Sequence, residues 1–82
     1  MAATRQDVDK WIKRAIEKEC KFIISVCDTF DYEDYPIYIK TEPELIEKYE
    51  EYKYNKNMQR INEIIKINDD ESVIENFNIK DL

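Results

Sequence analysis

Apolar residues recur at Val8, Trp11, Ile12, Ala15 and Ile16, the i, i+3, i+4, i+7, i+8 spacing of one helix face. Lys10, Lys13, Arg14 and Glu17 fall on the opposite face. Ahead of the stripe, Thr4-Arg5-Gln6-Asp7 reads as a capping box, in which the Thr4 hydroxyl takes an orphan backbone N–H and Asp7 reaches back. The pattern predicts an amphipathic helix over roughly residues 5–19. The run Lys21–Asp28 (KFIISVCD) then switches to period two. Phe22, Ile24 and Val26 point one way and Ile23, Ser25 and Cys27 the other. Neither side is strongly polar, which predicts a central strand covered on both faces.

Pro36–Lys40 predicts a second strand, with proline at its first position where a missing donor is tolerated. Thr29–Tyr35 between the two reads as a long acidic and aromatic hairpin loop. Thr41-Glu42-Pro43-Glu44 repeats the capping-box pattern with proline in the first turn, and Leu45, Ile46, Tyr49 and Tyr52 continue it as a helix over about 42–53. Asn55-Lys56-Asn57 ends that helix. Residues 58–67 fit two templates: Met58, Ile61, Ile64 and Ile65 suit a helix, while Ile61, Glu63, Ile65 and Ile67 suit a strand. The strand is preferred, because a two-stranded hairpin does not stand alone. After the acidic break Asp69-Asp70-Glu71-Ser72, Val73, Ile74 and Phe77 predict one or two helical turns packed back on the sheet. The chain has no glycine, so tight turns are expected to use Asn or Asp.

These elements predict one α+β domain over residues 1–82, in the order α-β-β-α-β. The sheet is expected to be three-stranded and mostly antiparallel, with both long helices on one face and a short C-terminal helix. Its other face would then expose Ile and Phe side chains. Apolar surface favours burial by ~25 cal/mol per Å², so a homo-oligomer is expected. Length points the same way. A domain this small buries only ~60% of the surface its unfolded chain exposes. Disulfides and zinc offer no help. Cys20 and Cys27 lie seven residues apart along one extended run and cannot be bridged unless the strand folds back, and the chain has no histidine.

Two unpaired thiols suit a reducing cytosol. No stretch approaches the ~20 apolar residues of a membrane span, and Met1–Lys10 lacks the apolar core of a secretion signal. The expected location is the cytoplasm. The formal charge is −6, with 13 Lys and Arg against 19 Asp and Glu. Basic residues dominate up to Cys27 and acidic ones dominate beyond it. Duplex nucleic acid is an unsuitable partner, since phosphate contacts dominate that affinity. A small anion near the basic N-terminal helix is compatible.

Three constellations carry candidate chemistry. The first is Asp28-Thr29-Phe30-Asp31-Tyr32-Glu33-Asp34-Tyr35. A calcium loop is one reading, but the required glycine is missing and the ligand spacing fails. A solvated acidic loop is another. A ligand wall is the third: carboxylates accept from a guanine edge, and Phe30, Tyr32 and Tyr35 offer stacking faces. The second constellation, Asn57-Met58-Gln59-Arg60, offers donors for phosphates or base edges, or is simply a turn entering a strand. The third is Arg5, Lys10 and Trp11 in the first helical turns, where a helix N-terminus favours an anion. Trp11 lies on the apolar stripe and reads more readily as core than as a ligand contact. No metal site is expected. No histidine base, Gly-x-Ser-x-Gly or P-loop is present, so no enzyme and no catalytic residue is expected.

Three stretches together resemble a family of small phage- and prophage-borne proteins. They are Thr4–Val8 with Trp11, Cys27–Pro36 (CDTFDYEDYP) with Tyr38, and Asn57–Arg60 with Glu63. The resemblance spans residues 4 to about 67, and the middle stretch is its most specific part. A glycine often found before Asn-Met-Gln-Arg is replaced here by Lys56. The family is similar to the phage anti-CBASS sponges, which sequester cyclic dinucleotide signals of bacterial immunity. The resemblance implies an immune-evasion protein in the host bacterial cytoplasm. It would be a homo-oligomer that binds a ligand such as cyclic GMP-AMP without turnover and uses no cofactor. Ligand-binding candidates are Arg5, Trp11, Asp28, Thr29, Phe30, Asp31, Tyr32, Tyr35, Asn57, Gln59 and Arg60. In this expectation Phe30, Tyr32 and Tyr35 stack on bases, Asp28, Asp31 or Asn57 read base edges, and Arg5 and Arg60 neutralise phosphates. The alternative is an acidic inhibitor that binds a host or defence protein directly, motivated by the acidity of residues 28–82.

Overall fold

The computed structural model describes residues 4–30, 33–53 and 59–82. The elements are α1 (Arg5–Glu17), β1 (Phe22–Asp28), β2 (Glu33–Ile39), α2 (Glu42–Tyr52), β3 (Gln59–Ile67) and β4 (Val73–Ile74), followed by a 3₁₀ turn at Ile79–Asp81. The class is α+β, as the patterning predicts. The strands form one antiparallel sheet in the order β2-β1-β3-β4. The ambiguous segment is thus a strand from Gln59 onward.

Four expectations need correction. Both helices were expected on one sheet face, and they lie on opposite faces. Phe22, Ile24, Val26 and Ile64 pack with Leu45, Tyr49 and Tyr52 of α2. Ile23, Ile65 and Ile67 pack with Val8, Trp11, Ile12, Ala15 and Ile16 of α1. The reason lies in β1, whose first six residues are all buried. A strand apolar on both sides needs a cover on each, and two helices supply one apiece. Among the described residues, no greasy sheet face is therefore left open for a second copy.

The sheet also has four strands and not three. Val73–Ile74 pairs with Lys66 and Ile67 as β4 in place of a helical turn. Phe77 still packs back on the sheet, its N–H bonded to the Ile64 carbonyl at 2.7 Å. Next, β2 begins at Glu33, which puts Pro36 inside the strand. It is tolerated because β2 is an edge strand. The hairpin loop is accordingly shorter than expected, since Asp28 already pairs with Glu33.

Last, the positive-φ positions among the described residues are Glu19, Glu71 and Asn76, so glutamate takes two of the three turns expected of Asn or Asp. Glu19 is instructive. The Cys20 N–H bonds the Ala15 carbonyl at 2.8 Å and the Glu19 N–H bonds Ile16 at 3.1 Å. This is the Schellman arrangement that closes a helix, with glutamate where glycine normally stands. Ala15 and Cys20, which flank the closure, are both buried in the α1-side core, and that packing holds the strained residue in place.

The capping expectations hold at α1. Thr4 Oγ accepts from the Asp7 N–H at 3.2 Å and the Asp7 carboxylate accepts from the Thr4 N–H at 3.0 Å. The Thr4 backbone N–H, with a smaller contribution from the Thr4 hydroxyl, holds the Asp7 carboxyl below its ordinary range. At α2 the Glu44 N–H bonds Thr41 Oγ at 3.3 Å, but the Glu44 carboxylate reaches one residue further back, to the Lys40 N–H at 3.1 Å.

One irregularity shapes the sheet. Between β1 and β3 the register shifts after Ser25: Ser25 faces Glu63, while Val26 faces Ile61. Asn62 is the extra residue of a β-bulge. The shift carries Ile61 to the α2 side with Ile64, while Ile65 and Ile67 stay on the α1 side.

Candidate functional site

Six of the candidate residues meet at one end of the sheet. Asp28 closes β1, Thr29 and Phe30 follow it into the hairpin, and Tyr35, Gln59 and Arg60 sit on the two neighbouring strands. The register places Asp28 opposite both Glu33 and Gln59, and Cys27 opposite both Asp34 and Arg60. Asp31, Tyr32 and Asn57 lie outside the described residues, so their expected roles are not placed.

The geometry gives these residues mostly structural work. The Asp28 carboxylate accepts from the Phe30 N–H at 2.8 Å, a turn in which an aspartate side chain mimics backbone. Phe30 stands 71% exposed at the hairpin. Tyr35 packs against the α2-side core, and its hydroxyl accepts from the Gln59 side-chain amide. Burial raises the Tyr35 pKa, with Tyr52 and Asp28 adding to it. A half-buried, hydrogen-bonded tyrosine is a wall of the fold more than a free stacking face. Asn62 at the bulge donates to Asp34 at 3.0 Å, tying β3 to β2 across β1.

Arg5 is likewise engaged. Its guanidinium pairs with Asp9 at 3.1 Å, and it also bonds the Glu75 carboxylate. The Glu75 hydrogen bond is the main reason its pKa is raised. Arg5 thus ties α1 to the segment after β4, and two carboxylates already occupy the charge expected to meet a phosphate. Glu63 lies near this pair. Burial raises its pKa, Glu75 adds to that, and Arg5 opposes it.

The better-formed concavity lies elsewhere, between α1 and the edge strand β2. It is a groove of about 560 Å³ walled by Trp11, Pro36 and Tyr38. Lys10, Lys13 and Arg14 line it, with Asp7 and Glu17. The helix period explains this grouping. Lys10, Lys13, Arg14 and Glu17 recur on one face at spacings of three and four, and α1 lies over the face of β2 that carries Pro36 and Tyr38. Trp11 packs on the α1-side core while its exposed part borders the groove. Tyr38 has its pKa raised by burial, partly offset by Arg14, and Lys18 Nζ sits 5.0 Å from its ring centroid. Among the described residues no salt bridge engages Lys10, Lys13 or Arg14.

Of the expected ligand residues that are described, only Trp11 belongs to this groove. Lys13, Arg14 and Tyr38 were legible as a basic helix face and an alternating strand residue, and a basic helix face reads first as solvated. What brings them together is the packing of α1 on β2, which local spacing does not encode. Among the described residues no group of three or more Cys, Asp or Glu side chains is arranged to hold a metal ion. No helix there is long and apolar enough to cross a membrane. Cys20 and Cys27 are both buried free thiols.

No family model, curated protein or solved structure matches this chain.

Proposed function

We propose that this chain is a non-catalytic binding protein of phage origin that sequesters a cyclic dinucleotide, such as cyclic GMP-AMP, in the host bacterial cytoplasm. The groove between α1 and β2 carries this reading. It combines two aromatic side chains, three cations that no salt bridge engages among the described residues, and two carboxylates in about 560 Å³, a volume within the range of small-ligand pockets. Trp11 and Tyr38 supply π-faces for purines. Lys10, Lys13 and Arg14 face phosphates. Asp7 and Glu17 accept from a guanine edge. This shifts the expected site away from the hairpin, where Tyr35 and Gln59 bond each other, and away from Arg5, which two carboxylates hold. The resemblance on the Cys27–Pro36 stretch supports the ligand class, and the absence of histidine favours holding over turnover.

Self-association, which the resemblance implies, would have to use the sheet edges or exposed apolar residues such as Phe30, Ile46 and Ile74, because both faces are covered. The second reading, an acidic inhibitor of a host or defence protein, rests on residues 28–82, with seven Lys and Arg against fifteen Asp and Glu. Capture of such a partner that is lost at high salt would favour it.

Thermal unfolding with a panel of cyclic mono-, di- and trinucleotides tests the proposal. A ligand at 100 times its Kd adds ~2.7 kcal/mol, which raises the Tm of a domain this size by roughly 10 °C or more. No shift with any member of the panel removes the sponge reading.

A further inference from the structure

We infer that a second groove, at the end of the sheet away from the hairpin, binds a small phosphate-bearing anion through Lys21, Lys40 and Lys66. These lysines come from three adjacent strand ends and line one concavity of about 470 Å³. It shares no lining residue with the groove between α1 and β2.

The backbone fixes this convergence. The Lys21 N–H bonds the Ile39 carbonyl at 2.8 Å, and the Ile67 N–H bonds the Lys21 carbonyl at 2.8 Å. Lys21 is therefore clamped between the ends of β2 and β3, with Lys40 one residue past Ile39 and Lys66 one residue before Ile67. Neighbouring strands lie ~4.8 Å apart, so the backbones of the three lysines span about 10 Å of sheet, and all three residues line the one groove.

A chain with 19 carboxylate side chains has ample means to neutralise them. Among the described residues the salt bridges engage only Arg5, Lys48 and Lys53. Glu42 and Asp69 line the same groove without forming an ion pair with any of the three lysines. The one fixed contact is Lys66 Nζ, 5.4 Å from the Phe77 ring centroid, which positions the ammonium without neutralising it. The α2 N-terminus opens on the groove through Thr41 and Pro43. The Glu44 N–H there is taken by Thr41 and the Lys40 N–H by Glu44. The helix therefore contributes its field, and the lysines supply the contacts. Three ammonium groups spread over three strands match an anion with several charged oxygens, and lysine binds phosphate as a point charge.

The test is an amide-resolved NMR titration of the full chain with inorganic pyrophosphate, against sodium chloride at matched ionic strength. The expected result is saturating shifts centred on Lys21, Lys40, Thr41 and Lys66, with a Kd below ~1 mM. Lys21→Gln with Lys40→Gln weakens binding at least about tenfold, and the Lys→Arg pair at the same positions restores it. Both lysines are exposed, so the fold is retained, and the wild-type titration is decisive by itself. Three results each overturn the inference: shifts that follow ionic strength without saturating, saturation that survives the double Gln variant, or shifts confined to Lys10, Lys13 and Arg14.

Discussion

Phe77 lays its ring against Phe22, with centroids 5.9 Å apart and planes tilted by 41°. Phe22 is 2% exposed, at the start of the strand that both helices cover. The contact pins the C-terminal segment beneath α2 and completes the α2-side core, which α2 alone does not close. Truncating Phe77 to alanine is expected to cost about 3 kcal/mol or more. That is a large part of the stability of so small a domain. Urea unfolding of Phe77→Ala checks it; a midpoint close to that of the parent chain would show that the tail is dispensable.

The bulge makes a sharper prediction, because it separates register from side-chain chemistry. Asn62→Ala removes one exposed hydrogen bond to Asp34 and is expected to cost about 1 kcal/mol or less. Deleting Asn62 removes the bulge and restores strict alternation along β3 without moving a side chain to the other face: Ile61 still meets Val26 and Arg60 still meets Cys27. The deletion variant is therefore expected to stay folded by circular dichroism, like the alanine variant; loss of the native spectrum on deletion alone would show that the bulge itself is required by the sheet.

The same bulge shows where reading the chain from its residues succeeds and fails. Local signals were strong for α1, β1 and α2: an apolar stripe behind a cap, a run buried on both sides, a second cap followed by Leu45, Tyr49 and Tyr52. Residues 58–67 looked equally helical because Ile61 and Ile64, three apart, face the same side. In a regular strand they would not. An i, i+3 apolar pair is a helix signature and also the trace of a bulge, and only pairing with β1 distinguishes them. The placement of the helices was legible in β1, whose two apolar sides called for two covers, yet counting helices against one face concealed it. The groove between α1 and β2 was the least legible part. It depends on how a helix lies across an edge strand, and no residue spacing records that.

Glu19 holds a left-handed backbone at φ 60° to close α1. That conformation costs a residue with a Cβ about 1 kcal/mol or more, against a smaller entropic cost for glycine in the unfolded chain. Glu19→Gly is expected to stabilise the protein by about 0.5–1 kcal/mol. Differential scanning calorimetry should show Tm rising by a few degrees. A fall in Tm would mean that the Glu19 side chain contributes a contact larger than the strain it imposes.

Glu63 links stability to pH. Its folded-state pKa lies above the ordinary 4.5, chiefly through burial. The native state therefore holds this proton more tightly than the unfolded chain does. The resulting stabilisation is full below about 4.5 and is lost as pH rises through the folded-state value. Glu63→Gln removes the carboxylate and is expected to raise Tm at pH 7, the gain shrinking to nothing as pH falls below 4.5. Melting curves of both proteins across pH 3.5–7.5 check the sign, and an equal gain at every pH would assign the effect to packing.

Binding without turnover is the central claim, and purification from cells that make cyclic GMP-AMP tests it most directly. Heat release followed by mass spectrometry is predicted to recover the intact cyclic dinucleotide in near-stoichiometric amount, and Lys13→Glu with Arg14→Glu is predicted to carry none. Recovery of only background nucleotide, of a linearised product, or of equal amounts from the charge-reversed variant would contradict it.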